Sequence, residues 1–168
     1  MTSCDACRFV VSCAIVFAGF GWIAGCGRNS SQPAAETIYA SSLSEHAPEA
    51  FEAGRDGWSD SEAKKAAAAL EAYYKGKRVR PLEGKLVNVS AGPSGAKLEL
   101  ADKSMVLDSL KVSRIAYNVS MPESESSKAG TLAKDANVDL AGTVSSVSTH
   151  ATSGQLDVTF QLDGATFE

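Results

Sequence analysis

Val79-Arg80-Pro81-Leu82-Glu83-Gly84-Lys85-Leu86-Val87-Asn88-Val89 is the stretch on which the fold turns. Its apolar and β-branched residues predict a long strand, and Gly84 in its middle is where such a strand can bend or bulge. Pro81 has no N–H to give to a ladder, so it belongs at an edge or beside that bulge. Downstream, Ala91-Gly92-Pro93-Ser94-Gly95 is a turn signal, and residues 97–101 return as a second strand. Ile115, Tyr117, Val119 and Met121 alternate as a third, which places Tyr117 on a buried position. Residues 122–127 predict a polar loop, with a helical turn over 132–136. Val138, Leu140, Gly142 and Val144 form the fourth strand. After a Ser/Thr/Gly loop, Leu156, Val158, Phe160 and Leu162 form the fifth.

Upstream of the strands the period is helical. Ser59 and Glu62 have the spacing of a capping box, with Trp58 ahead as a hydrophobic staple. Ala63, Ala66, Ala67, Leu70, Tyr73 and Tyr74 then recur on one face, and Gly76 supplies a stop. A shorter helical stretch over residues 43–53 ends at Gly54. The face is mostly alanine, so this helix can approach a sheet closely while burying little area. The expected class is α+β, an N-terminal helix packed on a five-stranded OB-like β-barrel. A half-open β-sandwich is the alternative.

All four cysteines, Cys4, Cys7, Cys13 and Cys26, lie in the first 26 residues. Cys4 and Cys7 have redox or zinc spacing, but no second ligand pair follows. Residues 9–20 form an apolar run behind Arg8, the length of a signal-peptide core and short of the roughly 20 residues of a spanning helix. At its end stands Ile23-Ala24-Gly25-Cys26, which resembles the bacterial lipobox. The resemblance implies cleavage before Cys26 and attachment of diacylglycerol to its thiol, with an uncleaved anchor as the alternative. Gly27 in place of aspartate favours the outer membrane if the cell is Gram-negative. The chain then divides into a leader (1–25), a flexible tether (26–42) and a folded domain (43–168).

A second resemblance rests on Ala72-Tyr73-Tyr74-Lys75-Gly76-Lys77-Arg78-Val79 followed by Glu83-Gly84-Lys85-Leu86-Val87-Asn88-Val89. Together with residues 132–144, centred on Gly142, they are similar to the bacterial OB-fold family named for its likeness to tRNA-anticodon-binding domains. Asp135-Ala136 stands where that family carries a glycine. The resemblance implies a barrel and no particular activity.

A formal charge of −4 gives no global attraction to phosphate backbones or anionic headgroups, which argues against a nucleic-acid partner. Lys75, Lys77, Arg78 and Arg80 nevertheless cluster at the start of the first strand and are the candidate ligand-binding residues. Lys85, Lys97, Lys103, Lys111 and Arg114 could extend the cluster. Single-strand binding also needs aromatic platforms, and in the barrel region only Tyr117, Phe160 and Phe167 are available. His46 and His150 are the only histidines, and no metal pair, nucleophile elbow or phosphate-cradling loop accompanies them. Ser61 and Lys64 match one motif of penicillin-binding enzymes without the others. The expected role is therefore non-catalytic, without cofactor, at a membrane reached through Cys26. The partner expected is an envelope protein or glycan. Binding of oligosaccharide or single-stranded nucleic acid by the basic cluster is the alternative.

Overall fold

The computed structural model describes residues 33–102 and 108–168. Cys26, the lipobox-like segment and Lys103 lie outside the described residues. The chain enters through β1 (Glu36–Thr37) and three helices, α1 (Ala40–His46), α2 (Pro48–Ala53) and α3 (Asp60–Tyr74). The stretch from Glu36 on, expected as the end of a tether, is thus part of the fold. Ile38 is fully buried, which is why the chain is fixed there. The shorter helical stretch expected over residues 43–53 ends at Gly54 but is two helices, α1 and α2, since Pro48 opens a new helix at its first position.

The capping box of α3 is formed. Glu62 N–H donates to Ser59 Oγ (3.3 Å), and Ser59 N–H donates to Glu62 Oε2 (2.9 Å). Ala63, Ala66, Leu70 and Tyr74 are its buried face. The small side chains let α3 lie close on the sheet, and Thr149 Oγ1 donates directly to the Ala63 carbonyl at 2.6 Å. Gly76, at φ +81°, carries the chain out of the helix in the left-handed region open to glycine.

The strands are β2 (Arg78–Arg80), β3 (Gly84–Gly92), β4 (Gly95–Asp102), β5 (Val112–Met121), β6 (Leu140–Thr152) and β7 (Gln155–Phe167). With β1 they form one seven-stranded sheet in the order β1-β2-β6-β7-β5-β4-β3. Pairings are antiparallel except β1 with β2 and β5 with β7. The count is seven rather than five because the first predicted strand is cut in two at Pro81 and β1 adds itself to the edge. Nor is the sheet closed into a barrel. Its β2 and β3 stand toward opposite ends of the strand order although only residues 81–83 separate them in sequence. What meets the outer edge of β3 is irregular chain: Val138 N–H donates to the Gly84 carbonyl (2.8 Å) and Leu86 N–H to the Ala136 carbonyl (2.9 Å).

Two further expectations are corrected. The polar run after Pro122 is α4 (Glu123–Gly130), not a loop, and its Ser126 hydroxyl donates to the Gly92 carbonyl at 2.8 Å. The Ser/Thr/Gly segment before the last strand continues β6 to Thr152. It leaves only Ser153 and Gly154, at φ +52° and +77°, as a two-residue turn of the kind a right-twisted hairpin favours. Helices and sheet share one apolar cluster that includes Leu43, Leu70, Leu100, Ile115, Phe160 and Leu162, all fully buried.

Candidate functional site

Pro81 ends β2 because it has no N–H to donate, and the chain turns through Leu82 and Glu83 before β3 begins. Gly84 is required at that restart. A Cβ there would come within 3.2 Å of Leu100 Cδ1, Pro81 Cβ and the Val138 carbonyl. The turn is held from below by Asp102, which is paired with Gly84 across β3 and β4. Its carboxylate accepts the Glu83 N–H at 3.0 Å and the Tyr117 hydroxyl at 2.9 Å. Burial pushes the Asp102 carboxyl above the usual carboxylate range and the Tyr117 hydroxyl well above its own. Tyr117 stacks on Phe160 at 5.7 Å, and Tyr74 of α3 meets Phe160 edge-on at 5.3 Å. A two-residue surface turn is thereby tied into the centre of the core.

That turn forms one wall of an open cleft of about 390 Å³. Tyr39, immediately before α1, and Leu82 line it with 48% and 40% of their surface exposed. Thr37 of β1 and Arg80 of β2 contribute a hydroxyl and a guanidinium. Asn137 and Asp139, from the chain leading into β6, contribute an amide and a carboxylate. The guanidinium is fixed: Arg80 Nε donates to Thr37 Oγ1 at 2.8 Å, and Nη1 lies 3.6 Å from Glu168.

The basic residues singled out in the sequence do gather around β2, but each already has a carboxylate partner. Lys75 pairs with Glu71 at 2.8 Å, within α3's last turn and its cap. Lys77 lies 4.0 Å from Glu36 and 3.0 Å above the Tyr73 ring, whose centroid is 3.4 Å from the stacked His46 ring. Arg78 meets Glu168 at 3.2 Å and is largely covered. Of the four, only Arg80 lines the cleft. Arg114, named with them, pairs with Glu99 at 3.1 Å. Among the described residues no group of three His, Cys, Asp or Glu side chains converges as metal ligands would.

Tyr39, Leu82, Asn137 and Asp139 were not readable as site residues. Pro81 and Gly84 flag a break in the strand. Bringing Tyr39 to it depends on the parallel pairing of Thr37 with Arg80, and bringing Asn137 depends on its bridge to Lys85. Neither pairing leaves a local sequence signal.

No family model matches the chain, and no curated protein matches it. Among solved structures it is similar to a lipoprotein of Klebsiella pneumoniae subsp. pneumoniae for which nucleic-acid binding has been proposed. Identity is 17% and the TM-score 0.40, over 82% of this chain and 99% of that one. A likeness at this level transfers neither residues nor ligand.

Proposed function

We propose that the chain is a lipid-anchored module of the bacterial cell envelope whose folded domain binds its partner without catalysis. The observation that carries this is Ile23-Ala24-Gly25-Cys26 standing at the end of the apolar run 9–20 and ahead of a small, polar segment. Small residues before the cysteine admit the backbone to a peptidase, and the thiol is the nucleophile that takes the diacylglycerol. Two or three acyl chains, at about 0.8 kcal/mol per buried methylene, hold a protein at a membrane where one chain would be marginal. The fold is read as an opened OB-like barrel. The parallel β5–β7 pair and a first strand divided between the two sides of the sheet support that reading. The cleft beside Pro81 offers an aromatic ring, an amide, a hydroxyl and a fixed guanidinium, a chemistry suited to holding a ligand.

The test is the intact mass of the protein extracted from membranes of an expressing bacterium, beside the Cys26→Ala variant. The expected result is a mass equal to residues 26–168 plus acyl chains, absent from the variant. An unprocessed, unlipidated chain in a competent host overturns the proposal.

A further inference from the structure

We propose that the cleft at the β2–β3 break binds a neutral or amino-bearing oligosaccharide. The proposal deepens the envelope-module reading by naming a ligand class, and rests on it for the setting in which such glycans are met. Three properties of the cleft point the same way.

Its size and openness suit a small extended ligand: about 390 Å³, at the lower end of the roughly 300–1,000 Å³ typical of small-molecule sites. Its lining mixes one accessible aromatic face with short planar polar groups. A pyranose presents an apolar C–H face and a rim of hydroxyls, each both donor and acceptor. Tyr39, 48% exposed, offers a face for the first. The Asn137 amide, the Glu83 and Asp139 carboxylates and the Arg80 guanidinium offer paired acceptors and donors for the second. Leu82, 40% exposed, extends the apolar side beside the ring.

The third property is charge. Among the described residues Glu83 and Asp139 bring two negative charges to the lining, and the one cation there, Arg80, is already held by Glu168 at 3.6 Å. A phosphate or uronate would meet uncompensated carboxylates, whereas a hydroxyl or an ammonium would not. That separates this ligand from single-stranded nucleic acid and from acidic glycans. The cleft is also built in advance. Pro81 fixes one backbone dihedral of the turn, and the buried Asp102 holds the Glu83 N–H, so little order is lost on binding.

The lipidated protein as extracted from membranes, in detergent micelles, is titrated, by calorimetry and saturation-transfer NMR, with an N-acetylglucosamine tetramer, a glucosamine tetramer, an oligouronate and a single-stranded oligonucleotide. The expected result is binding of one or both of the first two, with the Tyr39 ring protons among those contacted. Tyr39→Ala and Asn137→Ala should each weaken it about tenfold or more, and Lys75→Ala should leave it unchanged. All three positions are exposed, and a native circular-dichroism spectrum establishes that each variant folds. Failure of both amino-sugar oligomers to bind, preference for the oligouronate or oligonucleotide, or binding indifferent to Tyr39 and Asn137 overturns the proposal. The two readings fail separately. A lipidated protein that binds neither tetramer retains the anchor and loses the glycan site; an unlipidated one that binds them does the reverse.

Discussion

Asp102 is a carboxylate largely withdrawn from water, with two protein donors in place of solvent. Removing those acceptors orphans both a backbone N–H and a phenol. Asp102→Ala should therefore cost about 2–6 kcal/mol in chemical denaturation, at about 1–3 kcal/mol for each of the two groups left unpaired. The pH dependence follows from the direction of the shift. Burial raises the folded carboxyl above its ordinary 3.8, so the folded state holds the proton more tightly than the unfolded one. Its contribution to stability is fully present below that ordinary value and is lost as pH rises through the folded value. Asp102→Asn keeps an acceptor for Glu83 and abolishes the titration. Relative to wild type it should be most favourable at neutral pH and lose ground on acidification through that window. A deficit that is largest at neutral pH and closes in acid would show that the carboxylate is held by its donors more strongly than burial penalises it.

At the scale of elements, close approach decides most of what the sheet can be. Val79 of β2 pairs with Gly142 of β6, beside an irregularity in the β6–β7 ladder. A Cβ on Gly142 would stand 3.0 Å from the Cβ atoms of both Leu162 and Ala165. Gly142→Ala should therefore cost about 1–3 kcal/mol through overpacking. Ala165→Gly in the same chain removes one of the two contacts and should recover part of that loss, a coupling read from a double-mutant cycle of denaturation midpoints. Additive losses would place the strain elsewhere. The same closeness explains what sequence reading reached. The α3 face and the alternating strands were legible because their side chains repeat with the period of the element that buries them. Gly84 and Gly142 were legible because a glycine inside a strand has few other reasons to be there. The helix after Pro122 was not, since Glu123-Ser124-Glu125-Ser126-Ser127 carries little apolar period, and the helix is fixed by the Ser126 hydroxyl on a distant turn and by the single buried methyl of Ala129. The cleft was not, because three segments far apart in sequence, around residues 37–39, 80–84 and 137–139, line it.

In the whole molecule, helices and sheet are joined by more than apolar area. Trp58 N–H donates to the Gly154 carbonyl at the β6–β7 tip (3.0 Å), and its indole Nε1 donates to the Leu110 carbonyl (3.2 Å). With one shared core, the helical layer should not melt ahead of the sheet. In the protein cleaved before Cys26, where Trp58 is the one tryptophan, its fluorescence and far-ultraviolet circular dichroism should give coincident unfolding curves. An earlier fluorescence transition would mean that the helices are a separable cover. The strand order has a consequence for the time course of assembly. β7, last of the seven strands to be synthesised, occupies the middle place, and β6 and β5 are joined only through it. Until it emerges, the nascent chain holds a β3–β4–β5 meander and a β1–β2–β6 group with no ladder between them. Long-range pairings of this kind form slowly. A polypeptide whose sheet waits for its final strand stays pliable through almost the whole of translation, the state in which a chain can still be threaded through a narrow export channel.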